Sequence, residues 1–353
     1  MIVAFNIKPL SSGHKYRGVG QYTRKLLDEL KKMDLEIYEF EDHLPSQKID
    51  VAHYPWFDLF YRNIPLRQKS PTVVTIHDVM PLIFSDHYPV GVKGKINLKL
   101  QKLALSKCKK IITVSETSKK DIIKYLKVKE DKIKVIYEAA DEDFKILSDN
   151  QKLKVKRKYS LPDKFILYVG DANFVKNLPF LIKGFQALKK NKVFKDLKLV
   201  LIGGAFLKKV DNIDHPELAS LKLTNQLIEK FNLADEIIRP GQVETADLVG
   251  FYNLATCLIQ PSLYEGFGIP ILEAFSCGCT VLSSNRGSLP EVGGEAAVYF
   301  DPNDQKQFIE LITEILNSHS LRAKLSNLGF KRAEKFSWEK TADETIKVYQ
   351  EIR

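Results

Sequence analysis

Short apolar runs, each closed by polar or glycine residues, recur along the chain and alternate with stretches of helical period. In the first half they fall at Ile2–Asn6, Ile37–Phe40, Val51–Tyr54, Thr72–His77, Lys110–Val114 and Lys134–Tyr137. In the second half they fall at Phe165–Val169, Leu197–Ile202, Ile237–Arg239, Thr256–Gln260, Thr280–Ser284 and Ala297–Phe300. Continuous apolar runs suit strands buried on both faces, the habit of parallel sheets. Between most of them lies a helix-length stretch. One follows Gly20 and sets Tyr22, Leu26, Leu27, Leu30 and Met33 on one face. Strand–helix alternation of this kind predicts an α/β chain with helices on both sides of each sheet. Six strands and six, over 353 residues, fit two doubly wound parallel-sheet domains better than one closed barrel. The join is expected in the polar, lysine-rich stretch Asp143–Ser160, giving domains over 1–150 and from 151 onward.

Composition narrows the class. Apolar residues make up 44%, enough for two cores, and no apolar run approaches the ~18 residues of a membrane span. The opening M-I-V-A-F-N-I-K-P reads as a strand and not as a leader, so a cytoplasmic protein is expected. Cys108, Cys257, Cys277 and Cys279 form no pair of metal half-sites and read as reduced small hydrophobes; no bound metal and no resident cofactor are expected. The formal charge is +10, and the segment Lys93–Lys134, with fourteen lysines and four acids, carries as much by itself. No zinc finger or RNA-binding signature accompanies it, and its lysines lack interleaved aromatics, so nucleic acid is not the expected partner.

Ligands of doubly wound sheets bind at the carboxyl ends of the strands, and the chemistry of this chain collects there. The fullest segment is Y-E-G-F-G-I-P-I-L-E, Tyr264–Glu273. Its glycines allow close approach of a ligand, Pro270 suits a helix start, and bare amides at that start attract an anion. Glu265 and Glu273 can accept from sugar hydroxyls; the plainer reading is a capped helix. Lys176-Asn177 follow a strand and a glycine turn and can hold a diphosphate, or be solvated surface. His77-Asp78 close another strand, where His77 can bond a hydroxyl or move a proton, or be structural, and Asp78 can be a cap. Gly18-Val19-Gly20 can approach a phosphate or make a tight turn. Thr23 stands where a dinucleotide fingerprint needs glycine.

These residues together resemble the retaining glycosyltransferases of family 4, with their two-domain GT-B fold. The likeness rests on P-S-L-Y-E-G-F-G-I-P-I-L-E-A-F-S-C-G-C-T-V-L-S-S at 261–284, S-L-P-E-V-G-G-E-A-A at 288–297, L-Y-V-G-D-A-N-F-V-K-N-L at 167–178, T-I-H-D-V-M-P-L at 75–82 and R-G-V-G-Q-Y-T at 17–23. F-S-W-E-K-T-A at 336–342 resembles the last helix, which in the family crosses back, so 336–353 is expected to join the acceptor-binding N-terminal domain while 151–335 binds the nucleotide-sugar. The resemblance implies that Lys176, with Asn177 beside it, meets the donor diphosphate. It implies that Glu273 binds the ribose, and that Glu265 lies near the transferred sugar with Gly266, Phe267, Gly268 and Ile269 around it. By the same likeness His77 contacts that sugar, Gly18 and Gly20 lie under phosphates or acceptor, and Gly203 and Val243 border the base. His77, Lys176 and Glu265 are the expected catalytic set.

Many relatives carry an arginine beside or shortly before the phosphate lysine; here Val175 precedes Lys176 and Asp171 follows the glycine, so either Arg17, Arg239 or Arg286 supplies the second cation or the leaving group is less well stabilised. The motif forms are most similar to bacterial surface-polysaccharide mannosyl- and rhamnosyltransferases, which points to a GDP-mannose donor and a glycan or lipid-linked acceptor. Metal-independent transfer is implied. Lys95, Lys99, Lys102 and Lys107 are the expected contacts to an anionic inner-membrane surface. A sugar-nucleotide epimerase of the same architecture and a non-catalytic paralogue are the alternatives.

Overall fold

The computed structural model describes residues 1–13, 15, 18–208 and 216–353, residue 217 by its backbone alone. Each apolar run becomes a strand. The first six are β1 (Ile2–Asn6), β2 (Glu36–Phe40), β3 (Val51–Tyr54), β4 (Thr72–Ile76), β5 (Lys110–Thr113) and β6 (Ile133–Val135). They form one sheet in the order β2-β1-β3-β4-β5-β6. The second six are β7 (Phe165–Val169), β8 (Lys198–Ile202), β9 (Ile237–Gly241), β10 (Cys257–Gln260), β11 (Val281–Ser284) and β12 (Ala297–Phe300), ordered β12-β11-β10-β7-β8-β9. Every pairing is parallel. Inner strands β3, β4 and β10 are buried at every position, as cover by helices on both faces requires, whereas edge strand β2 exposes Glu36 and Glu39.

The chain divides into one unit of Met1–Ala139 with Phe336–Arg353 and a second of Ala140–Lys335. The boundary lies ahead of the stretch from which the join was expected. That stretch holds a folded helix, Asp149–Lys158, started by a capping box between Ser148 and Gln151 and anchored by buried Val155. Its lysines face water, which made it look like a linker.

In the first unit the helix Gly18–Leu30 buries Tyr22, Leu26, Leu27 and Leu30 and stops before Met33. Gly18 and Gly20, expected in a loop ahead of this helix, instead form its first turn. The packed face beyond supplies the nucleus, and extending it over two residues costs little. The helix Trp338–Ile352 packs on Gly18–Leu30, buries Trp338, Val348 and Tyr349, and ties Thr341 Oγ1 to the carbonyl of Tyr137 at 2.7 Å. The helix Val92–Lys107 turns Gln101, Ala104 and Leu105 inward. No helix of the described residues is long and apolar enough to cross a membrane. In the second unit strand order reverses between β7 and β10, the place where open α/β sheets leave a crevice for a ligand.

Candidate active site

Both sides of that reversal carry a predicted residue. After β7 the chain turns at Gly170, φ +151°, and enters a short 3₁₀ turn, Phe174–Lys176. Asn177 follows in the left-handed region, φ 54°, which asparagine tolerates, and its Nδ2 donates to the carbonyls of Pro261 and Pro302, 3.2 Å each. Asn177 thus joins the two loops that flank the site. After β10 the chain runs through residues 261–268 into the helix Ile269–Ser276, with Pro270 in its first turn.

Lys176 and Glu265 meet across these loops. Lys176 Nζ donates to Glu265 Oε1 at 2.7 Å and to Oε2 at 2.9 Å. Gln260 Nε2 at 2.8 Å and Ser262 Oγ at 2.7 Å also donate to Oε1. Lone pairs shared among these donors make Glu265 a weak nucleophile and a fixed acceptor. Its backbone is held as firmly. Ser288 Oγ shares its one proton between the carbonyls of Phe267 at 2.6 Å and Glu265 at 2.9 Å. Gly287, φ +59°, lies so close that a Cβ there would come 2.8 Å from Glu265 N and O. Gly268, φ +110°, is the residue before the helix and packs under Leu289. Gly266, Phe267, Gly268 and Ile269 therefore form one braced turn at a helix N-terminus.

Glu273 lies inside that helix and is buried. Its Oε2 accepts from Tyr252 OH at 2.7 Å. Burial pushes its pKa up to about 7; the Tyr252 bond works against the rise and Asp141 adds to it. Gly203 and Val243 follow β8 and β9. Gly203 takes φ +156°, and its Cα passes so near the Gly170 carbonyl that no Cβ fits. Val243 is half-buried.

His77, Gly18 and Gly20 belong to the first unit. His77, just past β4, sets Nδ1 3.0 Å from Glu138 Oε1 and Nε2 3.2 Å from the Pro55 carbonyl. Asp78 Oδ1 accepts from the Met80 amide at 2.9 Å in a tight turn, while Val79 occupies the N-cap of the helix Met80–Ile83 with no side-chain cap bond, so Asp78 is not the helix cap its position suggested. Sequence reasoning missed Glu138, Tyr252, Gln260, Ser262 and Ser288. Ser262 and Ser288 had a signal, their places in the P-S-L-Y-E and S-L-P-E segments. Of the substitutes for the missing arginine, Arg286 pairs with Asp301 at 2.8 Å, Arg239 reaches Asn225 at 3.4 Å, and Arg17 lies outside the described residues. Val175 is itself buried, so an arginine has no room there.

Two six-stranded doubly wound domains, one with a lysine–glutamate site at its switch point, make this a GT-B glycosyltransferase architecture. The family model "Glycosyl transferases group 1" matches residues 149–332 and "Glycosyltransferase Family 4" matches residues 8–144. The chain belongs to glycosyltransferase family 4. It is 30% identical over 319 residues to the serotype-specific mannosyltransferase WbdA of Escherichia coli, covering 89% of this chain and 36% of WbdA. It is 32% identical over 310 residues to O-antigen chain mannosyltransferase B of Escherichia coli, covering 87% of this chain and 76% of that one. The chain thus spans about a third of WbdA and three quarters of the second relative. Among solved structures, Anabaena Alr3699/HepE in complex with UDP-glucose matches with a TM-score of 0.75 at 15% identity, over 99% of this chain and 100% of that one.

Proposed function

We propose that the protein transfers a hexosyl group from a nucleoside-diphosphate sugar to a glycan or lipid-linked glycan in surface-polysaccharide synthesis, with retained anomeric configuration and without a metal. GDP-mannose is the donor in this reading, supported by the mannosyltransferase relatives. The observation that carries it is Lys176 poised on Glu265 beside a helix N-terminus at the switch point. An incoming diphosphate takes over the ammonium. As the bond from sugar C1 to the diphosphate oxygen breaks, the acceptor oxygen bonds C1 on the same face, and its proton passes to the departing phosphate oxygen. Lys176 and the amides at the start of Ile269–Ser276 offset the charge that develops there. Glu273 accepts from ribose hydroxyls. Glu265, already satisfied by its donors, holds a sugar hydroxyl and forms no covalent intermediate, unlike the nucleophile of a retaining hydrolase.

Release of GDP from GDP-mannose tests this. Lys176→Ala should cut turnover by about 10²–10³, the usual loss of one electrostatic donor. Transfer should survive excess chelator. Loss with EDTA that manganese or magnesium restores would overturn the metal-free mechanism, and an altered sugar nucleotide formed without acceptor would favour an epimerase.

The reading includes an anionic membrane at the cytoplasmic face. Val92, Ile96 and Leu103 lie on one side of the helix Val92–Lys107, 76%, 53% and 50% exposed, with Lys95 and Lys99 on one margin and Lys93 on the other. An apolar stripe edged by lysines suits the headgroup boundary. The lysine set differs from the one expected: Lys102 donates to the Tyr125 carbonyl and Lys107 to that of Leu66.

A further inference from the structure

Two buried histidines of the first unit have partners of opposite kind. His53, on β3, sets Nδ1 2.6 Å from Tyr349 OH and Nε2 2.9 Å from Thr75 Oγ1. Hydroxyls donate or accept, so a neutral ring with a single N–H satisfies both bonds. Burial, with the charge of His77 nearby, pushes the His53 pKa down to about 3. Among the described residues, the His77 ring nitrogens face only acceptors. The Pro55 carbonyl cannot donate, so Nε2 carries a hydrogen. A bare Nδ1 would set its lone pair against those of Glu138 Oε1 at 3.0 Å, so a proton lies between them as well.

The remaining surroundings agree. The Tyr22 ring, on the helix Gly18–Leu30, meets the His77 ring edge-on with centroids 4.6 Å apart, and its hydroxyl is engaged with Thr75 at 3.2 Å. Asp78, next in the chain, adds negative charge. Burial works against a charged ring. The hydrogen bond and charge of Glu138, the Pro55 carbonyl and Asp78 outweigh it and raise the His77 pKa above its ordinary 6.5. Glu138 is nearly inaccessible, its side chain 5% exposed, while that of His77 is 16% exposed, so the histidine is the member a ligand can reach.

We propose that Glu138 is a positioning residue that keeps a proton on His77 through neutral pH, so that His77 serves the reaction as a hydrogen-bond donor and not as a general base. An oxygen of the sugar or diphosphate can replace the Pro55 carbonyl, the longer of the two bonds, while Glu138 retains the ring and its proton. The second half of this statement rests on the proposed glycosyl transfer; the first half does not.

Nitrogen NMR of the full chain with labelled histidine tests the first half without substrate, His77 being assigned by its loss in His77→Gln. Both His77 ring nitrogens should remain protonated above the ordinary titration point of a free imidazole. Glu138→Gln, close to isosteric, should move the titration down by about one unit, a tenfold loss of proton affinity. Glu138→Asp, which keeps the charge, should recover part of it and serves if Glu138→Gln does not fold. A wild-type His77 that loses a ring proton at or below the ordinary titration point of a free imidazole, or a titration that Glu138→Gln leaves unmoved, overturns the proposal. GDP release at saturating GDP-mannose, where donor affinity no longer counts, tests the second half: wild-type turnover should fall as pH rises through the His77 titration, and Glu138→Gln should fall about one unit earlier. Turnover that rises through that titration would mark a general base and overturn the donor role. Absence of turnover with any nucleotide-sugar would count against glycosyl transfer alone, since the NMR result stands apart from it.

Discussion

Ribose recognition by Glu273 should be gated by pH. Its carboxyl is buried and its pKa stands at about 7, against 4.5 for the free group. A ribose hydroxyl needs the ionised form as acceptor. With a midpoint of about 7, roughly a tenth is ionised at pH 6 and nine tenths at pH 8, so donor affinity should rise about tenfold between them. The probe is GDP-mannose, whose diphosphate is esterified at both ends and lacks the terminal phosphate that titrates near pH 6. Calorimetry in two buffers of different ionisation enthalpy should find nearly one proton released per donor bound at pH 6 and almost none at pH 8. Glu273→Gln should bind weakly and flatly across the range. Linkage gives the matching stability effect. The folded pKa is raised, so the folded state binds the extra proton between 4.5 and 7, and the group's contribution falls as pH rises through that window by about 3 kcal/mol. Unliganded Glu273→Gln should therefore gain stability relative to wild type as pH rises. Affinity independent of pH in wild type, or an equal slope in Glu273→Gln, would refute the reasoning.

Two further outcomes follow from geometry. Gly287→Ala puts a Cβ 2.8 Å from Glu265 N and O at a left-handed φ; it should cost about 1–2 kcal/mol for the conformation alone and cut GDP release more than nucleotide binding, measured by thermal melts and turnover. Co-sedimentation with anionic vesicles should be salt-sensitive and absent with neutral ones. Changing Lys93, Lys95 and Lys99 to Ser should weaken it about 100-fold at ~1 kcal/mol per lysine, and equal binding of mutant and wild type would leave these lysines as solubilising charge.

The strands were legible because parallel strands covered on both faces have to be continuously apolar and to stop at polar loops. Glu265, Glu273 and Lys176 were legible because a glycine turn, a helix start and a strand end are all local features. What stayed hidden was non-local. Glu138 follows β6 with nothing around it to mark it, and only the fold brings it to His77, 61 positions earlier. Tyr252 reads as one more aromatic of a core helix until its hydroxyl is seen on Glu273. The Asp149–Lys158 helix escaped notice because a single buried valine leaves almost no hydrophobic period to read. Gly18 and Gly20 misled because glycine is a turn signal by default, whereas a first helical turn tolerates it when packing beyond holds the helix.

The discontinuity of the first unit has a consequence for synthesis on the ribosome. Tyr349, whose hydroxyl caps His53, and Trp338, whose ring meets that of Tyr22 with centroids 5.8 Å apart, emerge only after the whole of Ala140–Lys335. Until then β3 carries a buried histidine without one of its two partners, and the helix Gly18–Leu30 lacks part of its cover. The second unit, contiguous in sequence, can fold as it leaves the tunnel, while the first, although translated earlier, has to wait for its closing helix. Order of birth and order of completion are thus reversed, and in the interval the N-terminal sheet stands without its closing helix.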